Sequence, residues 1–84
     1  MEKYTIKHLQ NQNRFIITNE MGIEIGKLKY DVNNTDNFVI LSTVITPDYR
    51  GQSLGEKLVQ EALDYAKGNH FYVESICSFA DKFI

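Results

Sequence analysis

The chain has 84 residues, 43% of them hydrophobic, with nine basic and eleven acidic side chains and a formal net charge of -2. A domain this small buries only about 60% of its unfolded surface or a little more, so the length holds one domain, 1-84, around one core and excludes a second catalytic domain. The charge balance argues against a nucleic-acid backbone as partner, and a lone cysteine, Cys77, excludes an intrachain disulfide and cysteine-rich zinc sites.

The opening residues MEKYTIKHLQ alternate polar and apolar without an apolar signal core. No apolar run reaches the roughly 18 to 20 residues of a membrane span, so the cytoplasm is the expected location and no membrane partner is expected. Tyr4, Ile6 and His8 alternate with Thr5, Lys7 and Leu9, which predicts a first strand. The turn Asn11 to Asn13 leads to a second strand around Phe15 and Ile17, and Gly22 supplies the positive φ for the turn into a third, Ile23 to Tyr30. In that third strand the apolar positions change parity, from Ile23 and Ile25 to Leu28 and Tyr30, predicting a β-bulge at Gly26-Lys27. After a polar loop, Asp31 to Asp36, the stretch Phe38 to Ile45 is apolar on both faces, as in a central strand covered on both sides.

Pro47 ends that strand, and a helix of about four turns is predicted from near Ser53, with Leu54, Leu58, Val59, Ala62, Tyr65 and Ala66 forming one buried stripe. Glu56 and Lys67 suit the helix dipole, and Gly68 is placed for a left-handed cap. A strand from His70 to Ile76 follows, then a short terminal helix over 78 to 84. The order is β-β-β-β-α-β-α, a mostly antiparallel α+β sheet in which the strands flanking the long helix run parallel.

A strand that ends in a glycine-containing loop and feeds a helix presents backbone N–H groups and a positive dipole end, which suits phosphate. Here that loop is Tyr49-Arg50-Gly51-Gln52-Ser53-Leu54-Gly55. By itself it reads equally as a plain turn and cap. Neither the Walker spacing nor the Gly-x-Gly-x-x-Gly fingerprint is present, which sets nucleoside triphosphates and dinucleotides aside.

The stretch TVITPDYRGQSLGEKLVQEALDYA resembles the acetyl-CoA-binding core of the GNAT N-acetyltransferase superfamily, where Val-x-Pro precedes Gln/Arg-x-x-Gly-x-Gly/Ala. Arg50, Ser53 and Gly55 take the three motif positions, with Ser53 where the family usually has glycine. Ile76-Cys77-Ser78-Phe79 is similar to the ending of the short single-domain branch, which commonly carries His-Thr where Ser42-Thr43 stands here. The resemblance implies a sheet whose central strand and post-helix strand splay around acetyl-CoA. Main-chain groups of Val44, Ile45 and Thr46 would meet the pantetheine arm, and Arg50, Gly51, Gln52, Ser53, Leu54 and Gly55 the diphosphate. Larger relatives carry two helices between the first strands, and the Asn11 to Asn13 turn leaves no room for them. The acceptor side is therefore expected to be open, suiting an amine of a protein or peptide.

Cys77 is the candidate catalytic side chain, as nucleophile, base or acid; the competing reading is a small buried core residue. His8 is read as a sheet-surface residue and His70 as surface, and the two make no convincing metal site. Glu24, Glu74 and Tyr72 are minor candidates. Three functions stay open: an acetyl-CoA-dependent N-acetyltransferase, a non-catalytic CoA-binding module, and a small protein-interaction domain.

Overall fold

The computed structural model describes residues 3–34 and 36–83. Thr35 of the expected polar loop and Ile84 of the expected terminal helix lie outside the described residues, as do Met1 and Glu2. Five strands form one sheet in sequence order: β1 (Thr5–Leu9), β2 (Arg14–Thr18), β3 (Glu24–Val32), β4 (Asn37–Ile45) and β5 (Tyr72–Ser75). β1 to β4 is an antiparallel meander, and β5 returns parallel to β4 after the helix α1 (Leu54–Gly68). A short helix, α2 (Ser78–Asp81), closes the described chain. The element order is the one the sequence pattern predicts.

Alternation along each strand sorts side chains between two faces. Phe15, Leu28, Phe38 and Ile40 face α1, whose Leu54, Leu58, Val59, Ala62 and Ala66 complete the core; Tyr65, expected in that stripe, is half-buried. The other face has no covering layer, which corrects the expectation for β4: Leu41 and Val44 are 39% and 48% exposed. A bulge moves the helix-facing positions from Phe38 and Ile40 to Thr43 and Ile45, and the apolar Val39 and Val44 are left on the uncovered face.

Two bulges bend the sheet. In β3 the register passes from Ile17↔Gly26 to Thr18↔Glu24, leaving Ile25 as the extra residue, one or two positions before the predicted Gly26-Lys27. Gly26 is required there by packing, since a Cβ would lie 2.5 Å from Ile45 Cδ1 and 2.9 Å from Ile17 Cγ2. In β4 the register passes from Tyr30↔Ile40 to Lys29↔Ser42, so Leu41 is extra. The bulge lies midway along β4 and re-aims its second half.

The end of α1 also differs from expectation. Gly68 is the last helical residue, and the left-handed position is His70 at φ 58°. The His70 amide donates to the Lys67 carbonyl (3.1 Å) and the Phe71 amide to Ala66 (2.9 Å), a Schellman closure. Asn69 adds a side-chain bond from Nδ2 to the Tyr65 carbonyl at 2.8 Å, so the helix ends without a glycine cap.

Candidate functional site

The parallel register of β4 and β5 stops at Ile40↔Ser75, and the last link is the Ile76 amide on the Ile40 carbonyl at 3.0 Å. Beyond it β4 continues through Leu41–Ile45 while the chain after β5 turns into α2. A cleft of about 560 Å³ opens between this half of β4, the first turn of α1, Phe79 of α2 and Phe83 just beyond it.

Main-chain direction alternates along a strand as side chains do. The Thr46 amide donates to the Ile25 carbonyl at 2.8 Å, so Thr46 and, two residues back, Val44 direct their peptide groups to β3. Ile45 and Thr43 direct theirs to the free edge; accordingly the Ile45 carbonyl accepts Arg50 Nε at 3.0 Å and the Thr43 amide reaches Cys77. Of the three strand positions expected to meet a ligand through the main chain, Val44 and Ile45 line the cleft and Thr46 does not, and only Ile45 directs its peptide groups to the free edge. Thr43, which the sequence reading left out, is its companion.

Pro47–Tyr49 forms a 3-10 turn, and Gly51 follows at φ 84° with open space around its Cβ position. Ser53 is left-handed, φ 61° and ψ 23°, and makes no side-chain cap bond. Capping serines normally sit in the β region, where Oγ reaches the N2 or N3 amide. Held in the αL region, Ser53 leaves the opening amides of α1 without a side-chain acceptor. Gly55 is fixed by packing: a Cβ would come 2.9 and 3.0 Å from the Phe79 ring.

Arg50, Gly51, Ser53, Leu54 and Gly55 line the cleft, whereas Gln52 does not. The Gln52 Oε1 accepts the Tyr4 hydroxyl at 2.6 Å, and Tyr49 accepts Asn19 Nδ2 at 3.2 Å. These two bonds tie the turn to the residue preceding β1 and to the β2–β3 connection. Leu54 is 2% exposed, so its side chain belongs to the core and only its main chain can serve a ligand.

Cys77 is half-buried at the N-cap of α2, with Sγ 3.7 Å from Thr43 Oγ1. Burial pushes the thiol up, but the Ala80 amide, the Thr43 hydroxyl and the amides of Phe79 and Thr43 together outweigh it and hold it below its ordinary value. Ser75 fixes the turn, its Oγ donating to the Cys77 carbonyl and accepting the Cys77 amide, both at 3.0 Å. Cys77 meets the cleft only through Thr43, which forms part of the wall.

His8, read from the sequence as a sheet-surface residue, lies on the helix side of the sheet. It stacks on Phe15 with ring centroids 4.1 Å apart, meets Tyr65 edge-on at 4.4 Å, and pairs its Nε2 with the Tyr30 hydroxyl at 2.5 Å. Its parity was legible; the aromatic partners come from three other elements and were not. His70 and Tyr72 are exposed. Thr43, Tyr49, Glu56, Phe79 and Phe83 are the cleft residues the sequence reading did not assign to a site, although Phe79 and Phe83, four apart at the end of the chain, signalled one helical face. No cluster of metal-ligating side chains occurs among the described residues. Nor, among them, is any helix long and apolar enough to cross a membrane.

The sequence profile of the GCN5-related N-acetyl-transferase family matches residues 14–84. No protein with a curated description matches the chain in sequence. Among solved structures, a GCN5-like protein from Staphylococcus aureus is similar at TM-score 0.71 and 25% identity, over 94% of this chain and 76% of that one. A ribosomal-protein-alanine N-acetyltransferase from Brucella melitensis has the same fold at TM-score 0.65 and 14% identity, over 90% and 61%. An aminoglycoside N-acetyltransferase in complex with CoA does so at TM-score 0.61 and 15% identity, over 74% and 46%, so this chain spans less than half of it.

Proposed function

The chain belongs to the GCN5-related N-acetyltransferase family, and on that premise we propose that it transfers an acetyl group from acetyl-CoA to an amine of a protein or peptide. One observation carries the proposal: the opening turn of α1 has no side-chain cap and faces a cleft of about 560 Å³ edged by the free half of β4. The residues present fit the cofactor. A diphosphate suits the amides at Ser53, Leu54 and Gly55 together with the guanidinium of Arg50, whose Nε is engaged by the Ile45 carbonyl. Gly51, with open space around it, leaves the approach clear.

When bound, acetyl-CoA supplies the acyl group as an activated thioester. The chain's own contribution is alignment, which can be worth about 7 to 11 kcal/mol. The Ile45 amide on the free edge is the donor available to a developing oxyanion, and loss of such a donor typically costs about 3 to 4 kcal/mol. Cys77 Sγ, at the split beside Thr43, is proposed to move a proton. The single thiol, with no disulfide to form, accords with a cytoplasmic protein. The Brucella and CoA-bound fold neighbours, through what their own names state, support a protein amine and CoA respectively.

Calorimetric titration with acetyl-CoA tests the reading, with Arg50→Ala expected to weaken binding. A thiol-release assay over a panel of amines and peptides then tests turnover, which Cys77→Ala should abolish while CoA affinity is retained. Absence of acetyl-CoA binding by the folded protein would reject the cofactor and leave the interaction-domain reading. A second reading, a CoA-binding module without turnover, is favoured by the lining itself: its titratable side chains are Tyr49, Arg50 and Glu56, and neither histidine reaches it. Binding without thiol release would select it.

A further inference from the structure

The sequence shows one close pair of cations, Lys27 and Lys29, but the register gathers four. On the uncovered face of the sheet one cross-strand row reads Lys7, Ile16, Lys27, Val44, and the next reads Leu9, Arg14, Lys29, Ser42. The intervening row, His8, Phe15, Leu28, Thr43, points to α1. Four of the nine basic side chains therefore share two adjacent rows in a chain of net charge -2. Arg14 stands directly opposite Lys29, an arrangement that costs stability in a sheet. Among the described residues no ion pair relieves it; the one side-chain bond in the group runs from Arg14 Nε to Gln12 Oε1 at 2.8 Å. Rows lie about 7 Å apart and strands about 4.8 Å apart, so these charges act together within roughly a Debye length at physiological salt.

Apolar surface interleaves the cations: Ile16 is half-buried, and Leu41 and Val44 are exposed. At the β4 end a second cleft of about 290 Å³ places Lys27 and Arg50 with Glu24. Acidic residues bound the band, with Glu24 beyond one row and Asp31 and Glu74 beyond the other. A polyanion running along the strands past these two rows would meet those carboxylates, whereas a short one held across the strands within the rows would not.

We propose that this uncovered basic face docks a short acidic polypeptide segment lying across the strands of the sheet. From β1 to β4 the band spans about 14 Å, the reach of four or five extended residues. The proposal does not depend on acyl transfer.

The test is fluorescence anisotropy of fluorescein-labelled hexaglutamate with the full chain at 20 and 300 mM NaCl. Saturable binding is expected at low salt, at least tenfold weaker at high salt. The double reversal Lys27→Glu with Lys29→Glu should weaken it at least tenfold. The matched reversal Lys57→Glu with Lys67→Glu, on the exposed side of α1, should change it less than threefold. If the first pair does not fold by circular dichroism, Arg14→Gln with Lys29→Gln carries the test, with at least a fivefold loss expected. No binding by the folded wild type, equal losses in the two double reversals, or equally tight binding of single-stranded hexathymidylate would each overturn the proposal. Acetyl-CoA titration of the same variants should be unchanged, which separates this face from the cofactor cleft.

Discussion

Ser53 holds φ 61° and ψ 23° at the entry to α1, and Ser53→Gly should stabilise the protein. A non-glycine residue in the left-handed region costs roughly 1 to 2 kcal/mol, and glycine returns about 0.5 to 1 kcal/mol of that through its greater freedom in the unfolded chain. A helix-entry serine would ordinarily also contribute about 1 kcal/mol through its hydroxyl, but Ser53 makes no cap bond, so nothing is lost on that side. The balance is a gain of about 0.5 to 1 kcal/mol. For a domain of this length, that corresponds to a rise in Tm of about 2 to 8 °C, measurable by circular dichroism. Ser53→Ala is the control: it keeps the strained Cβ and removes a hydroxyl that bonds to no helix amide, so its Tm should stay within about 3 °C of wild type. A fall in Tm for glycine, or a loss in the alanine variant of the size expected for a capping serine, would refute the reasoning.

Gly55→Ala drives a methyl to within 2.9 Å of the Phe79 ring and should cost about 1 to 3 kcal/mol, read as a lower urea midpoint; Phe79→Ala in the same background should recover part of it. Burial holds His8 below its ordinary value of 6.5, so between the two values the unfolded chain binds more protons and stability falls as pH drops. Tm should therefore fall from pH 7 to pH 5, and fall less in His8→Phe; identical profiles would exclude His8 as a cause. Tyr30, pushed up to about 12 by burial and by Tyr65, keeps the proton it shares with His8 Nε2 throughout that range. Thr43→Val removes a hydroxyl that helps to hold the Cys77 thiol down, so the midpoint of the pH dependence of iodoacetamide alkylation should move up.

Element types and their order were legible because they rest on local signals. The spacing of Leu58, Val59, Ala62 and Ala66 specifies a helix whatever it packs against, and Pro47 and Gly22 set turns through their own backbone limits. The loop from Arg50 to Gly55 was equally visible as a strand-to-helix entry. What the sequence could not determine depends on pairing between distant residues. The Leu41 bulge exists only relative to β3, and it decides that Ile45 and Thr43, not Val44 and Thr46, turn their peptide groups to the cleft. Gly55 answers to Phe79 and Gln52 to Tyr4, partners 24 and 48 residues away. The basic face likewise needs the register that sets Lys7 and Arg14 beside Lys27 and Lys29. Local periodicity fixes which way a residue points along its own strand or helix; only the packed sheet fixes what it then meets.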